Sequence, residues 1–196
     1  MRFDLLFDDL EGQLESQLAA ESAQQRSEEE RLRAARTALR ERLSALAGGT
    51  AGGIRLHLID GSTVEFVRAT IGRDWLAAEL PAGGDWIVPL AAIASVSLDA
   101  AQTQASRERM PQAQPPEPGA LAAKIGIGVV LRDLARRRVP LDVQTRAESA
   151  SLHGTIDRIG ADHLDLAVHE RGVARRQSAV LETRLVPFAA LVMVRV

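Results

Sequence analysis

The sequence predicts an α+β protein: a long N-terminal helix followed by two small five-stranded β-barrels, each preceded by a helix. Three observations predict it. Two blocks recur in the same order in both halves, Ile71 to Leu76 (IGRDWL) with Ile159 to Leu164 (IGADHL), and Val88 to Val96 (VPLAAIASV) with Val186 to Val194 (VPFAALVMV). A repeat of this kind marks a duplicated supersecondary unit. Apolar residues near the N-terminus recur at spacings of three and four, the helical period. Around the repeated blocks they alternate with polar residues and are punctuated by turn signals such as Asp60-Gly61.

The helical arm covers residues 1–47. Phe3, Phe7, Leu10, Leu14 and Leu18 form one stripe and Leu32, Ala35, Leu39, Leu43 and Leu46 another, with a polar stretch of good helix formers between them. Unbroken, the helix would reach about 60 Å at 1.5 Å per residue; the alternative is a break near Ser22 to Ser27. Gly48 and Gly49 end it. A narrow apolar stripe cannot bury itself, so the arm should dock on the barrels or join a second chain as a homo-oligomer.

The first barrel covers residues 54–98. Ile54 to Asp60, Thr63 to Thr70, Asp74 to Leu80, Asp85 to Val88 and Ile93 to Leu98 read as its five strands. Closure into a barrel suits short strands with tight turns because it removes unpaired edges. Residues 99–119 hold four prolines and almost no large apolar residue, which predicts a disordered linker. Residues 120–138 read as a helix with Leu121, Ile125, Val130, Leu131 and Leu134 on its apolar face and Pro140 beyond its end. Its LRD at Leu131 to Asp133 matches LRE at Leu39 to Glu41, so the repeated unit is helix plus barrel. The second barrel covers residues 139–196. The first blocks are 88 positions apart and the second 98, which places about ten inserted residues near His169 to Glu182. Loops absorb such insertions cheaply because closure entropy grows only logarithmically with length.

A leading helix, five short strands, a DG turn and a terminal strand pair across one short turn resemble the Sm-like members of the SH3-like barrel class. Gly154, Ile156, Ile159 and Leu164 resemble the first Sm box, in which a glycine lets the second strand bend sharply. Phe66 stands at that glycine's place in the first copy. The family's Arg-Gly pair is absent, since the corresponding places read Val88-Pro89-Leu90 and Val186-Pro187-Phe188. The resemblance implies the fold in both copies and carries over no binding residue.

Composition narrows the function classes. With no cysteine, a disulfide framework and thiolate catalysis are excluded. The net charge of -2 gives no global attraction to nucleic acid. Lys124 is the only lysine, a bias toward arginine that, with abundant alanine, fits a GC-rich bacterial genome. No stretch approaches the roughly 20 apolar residues of a membrane span, and Asp4, Asp8 and Asp9 interrupt the N-terminal apolar run. Membrane insertion is therefore not expected, and the cytoplasm is the expected location.

Catalytic, cofactor and metal sites are not predicted. His153, Asp162, His163, Asp165, His169 and Glu170 resemble a metal cluster in composition, but a spacing of two along a strand matches common zinc sites poorly. Trp75 and Trp86 flank the turn at Pro81 to Gly84, and the second copy replaces them with His163 and Arg184. A core tryptophan should survive duplication, so this face is expected to be partly exposed and to bind protein. Arg132, Arg136, Arg137, Arg138, Arg171, Arg175 and Arg176 form the basic concentration of the chain and its candidate nucleic-acid surface. The expected function is a non-enzymatic adaptor or scaffold that binds an unknown protein partner through tandem barrels and a helical arm; the alternative is an RNA- or DNA-binding protein that uses the Arg-rich second half.

Overall fold

Alternating sequence sets the strands close to their expected places, but their partners differ from expectation. The computed structural model describes residues 17–19, 22–29, 31–32, 34–35, 37–47, 53–66, 68–79, 83–108, 121–148, 150–173 and 175–196. Contacts divide the chain into Met1–Ala38 and Leu39–Val196. In the first unit, residues 22–29 are helical and exposed.

Among the described residues, eleven strands lie in the second unit. The first copy supplies β1 (Ile54–Leu58), β2 (Thr63–Phe66), β3 (Arg68–Ile71), β4 (Trp75–Glu79), β5 (Asp85–Pro89) and β6 (Ile93–Ser97). The second supplies β7 (Pro140–Thr145), β8 (Leu152–Ile159), β9 (His163–Val168), β10 (Glu182–Pro187) and β11 (Leu191–Arg195). Two backbone bonds recur at equivalent places in both copies. Gly72 N–H donates to Trp75 O at 2.8 Å and Gly160 N–H to His163 O at 2.9 Å. Leu90 N–H donates to Asp74 O at 2.9 Å and Phe188 N–H to Asp162 O at 2.7 Å. A single 3-10 turn follows each Val-Pro pair, at Leu90–Ala92 and at Phe188–Ala190.

Neither copy closes into a barrel, contrary to the sequence reading. The strands form an eight-stranded antiparallel sheet in the order β10-β9-β8-β7-β11-β5-β4-β3 and a three-stranded sheet in the order β2-β1-β6. The reason is local. The 3-10 turn after β5 carries the chain away from it, so β6 pairs with β1, and the freed edge of β5 is taken by β11 of the other copy. Exposed strand edges are relieved here by joining the copies rather than by closing each one.

The long N-terminal helix is also corrected. Residues 1–16 lie outside the described residues, and Thr37 and Ala38 are non-helical, so helix α1 spans only Leu39–Ala47. Part of the expected disordered linker folds as helix α2, Ala100–Glu108. Its start is a capping box: Gln102 N–H donates to Asp99 Oδ1 at 2.7 Å, and Asp99 N–H donates to Gln102 Oε1 at 3.1 Å. Polar contacts hold it in place, since Gln102 Nε2 donates to Gly53 O at 3.1 Å and Arg42 Nε to the buried Ser106 Oγ at 3.2 Å. Residues 109–120 lie outside the described residues. The helix expected over 120–138 begins later, as α3 at Ile127–Arg137, after a 3-10 turn at Ala122–Lys124.

Two cores result, and each draws on both copies. One gathers Leu43, Leu56, Phe66, Leu76 and Val88 with Val192 and Met193 of the second copy. The other gathers Leu131, Val143, Ile156, Leu164 and Val194 with Trp75 and Ile87 of the first.

Candidate functional site

Strand β5 buries Ile87, Val88 and Pro89, with Val88 in one core and Ile87 in the other. Across from β5, Ile87 pairs with Val194 and Trp86 with Arg195 of β11; Val196 N–H adds a bond to Asp85 O at 2.9 Å. Helix α3 completes this junction. Ile127 N–H, the first amide of α3, donates to Asp74 Oδ1 at 2.7 Å, and Arg73 N–H and Trp75 Nε1–H both donate to Ile125 O, at 3.0 and 2.9 Å. An acidic side chain at a helix start satisfies an orphan amide and favours the helix dipole. A groove of about 470 Å³ remains between the copies, with Trp75, Ala77 and Ile87 on one side and Val130, Leu134 and Val196 on the other.

Among the described residues no strand pairs with the outer edges of β10 and β6. Strand β10 ends the eight-stranded sheet and β6 ends the three-stranded one. On β10, Leu185 is 68% exposed, and Leu181 just before it is 69% exposed. Beside β6 runs an apolar groove of about 240 Å³ lined by Leu39, Leu43 and Leu46 of α1 and by Ile93, Val96 and Leu98 among others. Leu39 at its rim is 45% exposed. The hairpin before β9 is open as well, with Asp162 solvated and bonded through Oδ1 to Nδ1 of His163 at 2.9 Å. This bond holds the Asp162 carboxyl below its ordinary value.

The two tryptophans do not form a shared exposed patch. Trp75 lies opposite Pro89 and Trp86 opposite Ala78, on opposite faces of β4 and β5. Trp75 is buried in the second core with its indole N–H on Ile125 O, which corrects its expected exposure. Trp86 packs half-buried against the first core, and the Arg195 guanidinium sits 5.5 Å from its ring centroid, within cation–π range. Their replacement by His163 and Arg184 reflects the missing neighbour on that side of the second copy.

Four of the seven candidate arginines have carboxylate partners. Arg136 and Arg137 reach Asp133 at 3.3 and 2.8 Å, Arg171 reaches Asp142 at 2.9 Å, and Arg175 pairs with Asp157. Arg138 closes α3 in the left-handed conformation at φ 52°, its N–H bonding back to Ala135 O. Arg132 and Arg176 are exposed.

Two histidines, His153 and His169, lie beside the start of the inserted loop between β9 and β10. His153 Nδ1 meets Asp142 Oδ1 at 2.7 Å. His169, buried, donates from Nδ1 to Glu170 O at 3.0 Å and accepts from Thr155 Oγ1 at Nε2, 2.9 Å away. A carbonyl can only accept, so the Glu170 contact places the proton on Nδ1. The two rings stand edge to face at 5.3 Å. These contacts anchor the insertion at its start, and among the described residues no group of His, Cys, Asp and Glu is arranged to hold a metal ion. Among the described residues no helix is long and apolar enough to cross a membrane.

Reasoning from sequence missed Leu39, Val96, Leu181 and Leu185. The repeat held the signal: Leu185 occupies in β10 the place of Ile87 in β5, one residue before the shared Val-Pro pair. Comparison of the chain with protein-family models, curated proteins and solved structures found no match.

Proposed function

We propose that this chain is a cytoplasmic, non-enzymatic scaffold that binds other polypeptides along its open sheet edges. The observation that carries this reading is the groove between α1 and β6. An unpaired strand edge offers main-chain hydrogen bonds, and an adjacent apolar groove offers pockets for alternate side chains, which together make a strand-addition site. Leu39, Leu46, Val96 and Leu98 line that groove beside an edge that no strand pairs among the described residues.

Nucleic-acid binding has less support. Four of the seven candidate arginines are engaged by carboxylates of the same chain, and both tryptophans pack against cores instead of offering stacking platforms.

A photoreactive amino acid in place of Ser95, exposed on β6, tests the reading in the full chain inside its source cell. Adducts to polypeptide, lost when Leu39→Asp is added, support the scaffold. Adducts to nucleic acid, or a yield no higher than from the exposed Glu170 position, reject it.

A further inference from the structure

Surfaces that meet at the internal junction have repeat-equivalents elsewhere on the chain, and among the described residues several of those equivalents are more exposed. Strand β5 corresponds to β10 and β11 to β6, through the shared Val-Pro blocks. Ile87, buried to 5% exposure against Val194, corresponds to Leu185 at 68%. Val194, fully buried, corresponds to Val96 on the β6 edge, which is only partly buried.

The helices follow the same rule. α1 packs on β3 and α3 on β8, and their starts, Leu39 and Ile127, are 88 positions apart, the displacement of the first repeat block. This aligns the fully buried Leu43 with Leu131 and the partly buried Leu46 with Leu134. The LRE and LRD matched in the sequence therefore lie one helical turn out of register. Ile127 is 6% exposed because the first copy's hairpin covers it, while its equivalent Leu39 is 45% exposed. Asp74 caps Ile127, and its equivalent Asp162 points to solvent.

The grooves agree. Val130, Leu134 and Val196 form one wall of the groove inside the junction, and their equivalents Arg42, Leu46 and Leu98 line the groove beside β6. The opposite wall inside the junction comes from β3, β4 and β5. Among the described residues no such wall stands beside β6, and its repeat counterpart, the β8-β9-β10 end of the chain, is not paired with β6 but ends the other sheet.

Resting on the scaffold reading above, we infer that the polypeptide bound at β6 is the β10 edge of a second copy of this chain, added head to tail in the register of the β5–β11 junction. Leu185 of one copy lies opposite Val96 of the next and Arg184 opposite Ser97, as Ile87 lies opposite Val194 and Trp86 opposite Arg195. Asp162 caps the first amide of α1, at Leu39. The two surfaces differ, so the contact is heterologous and each copy added presents a fresh edge; the array closes as a ring or grows as a filament.

The chain has no cysteine, so a disulfide reports this contact without background. Residues directly opposite on antiparallel strands have Cα atoms about 4.5–5.5 Å apart, inside the roughly 4.4–6.8 Å that a disulfide spans. Full-length chain carrying Val96→Cys and Leu185→Cys should give on mild oxidation a ladder of dimers, trimers and higher species. An equimolar mixture of the two single variants should give the mixed dimer in preference to either symmetric one. Light scattering should show a wild-type mass above the 21.1 kDa of one chain, and Leu185→Arg, at an exposed position, should lower it at least twofold.

Wild type at the mass of one chain with no ladder overturns the inference. So does an oligomer whose mass Leu185→Arg leaves unchanged, since the contact then lies elsewhere, as in the helical arm. Ser95 photoadducts to a different polypeptide in that case leave the scaffold reading standing with another occupant. Absence of both adducts and ladder removes both.

Discussion

Residues 54–98 and 139–196 bend the same strand by different means. In the first copy the second strand is given as two, β2, which ends at Phe66 and pairs with β1, and β3, which starts at Arg68 and pairs with β4. In the second copy β8 remains one strand, its first half on β7 and its second half on β9. Phe66 and Gly154 stand at equivalent places. Phe66 fills the first core, whereas a Cβ on Gly154 would lie 2.3 Å from the Ala167 carbonyl oxygen. A large side chain can be used where the two half-strands belong to different sheets, and a continuous bent strand leaves no room for one. The copies also differ in what covers their fourth strand: β5 is paired on both edges, β10 on one. The same backbone plan thus gives a buried element in one half and an available edge in the other.

The second difference gives the largest expected effect. Ile87→Asp places a carboxylate in the junction core, where burial of an unpaired charge is among the most destabilising of single changes. A loss of about 3–5 kcal/mol in urea unfolding is expected. Leu185→Asp, at the equivalent place, should change the stability of the isolated chain by no more than about 0.5 kcal/mol when both are measured at high dilution. Similar losses for the two would break the comparison, because β10 would then be covered.

The first difference is sharpened by a smaller change. Gly154→Ala forces either its own strand or the Ala167 backbone to move, and overpacking of this kind costs about 1–3 kcal/mol. Thermal unfolding should register it as a fall of a few degrees, given that 1 kcal/mol shifts Tm by roughly 2–4 °C at this chain length. A variant as stable as wild type would show that β8 does not need its close approach to β9.

The strands were legible because their signal is local. Alternation and turn residues placed Ile54 to Asp60 and Asp85 to Val88 within a residue or two of β1 and β5, and the repeated blocks predicted that both copies share one hairpin plan, as the paired bonds at Gly72 and Gly160 illustrate. Strand partnership was not legible. Nothing in Val88-Pro89-Leu90 distinguishes a strand that closes on its own copy from one that pairs with another, since the choice depends on the direction in which the 3-10 turn sends β6. Helix α2 escaped because the expected cue was an apolar stripe, while its support is polar, from Asp99, Gln102 and Ser106. Trp75 was misplaced for a related reason: its loss from the second copy signals a missing neighbour, Ile125, more than an exposed position in the first.

The smallest expected effect concerns the two aspartates before β4 and β9. Asp74 is occupied by the first amide of α3, whereas Asp162 has His163 as its partner, and the hydrogen bond from that ring holds its pKa below the ordinary aspartate value. A folded-state pKa that is lowered means a contribution to stability that is present above the unfolded value and is lost as pH falls through the folded one. Because Asp162 is fully solvated, that contribution is small. Carboxyl NMR titration should find Asp162 titrating at lower pH than a free aspartate, and His163→Ala should return it toward the ordinary value. If Asp162 caps α1 of a neighbouring copy, raising the protein concentration should lower its pKa further and, in His163→Ala, should lower it still, since an amide donor then replaces the ring. A value independent of concentration in both proteins would leave Asp162 with only its adjacent histidine, and the correspondence with Asp74 would end at the backbone.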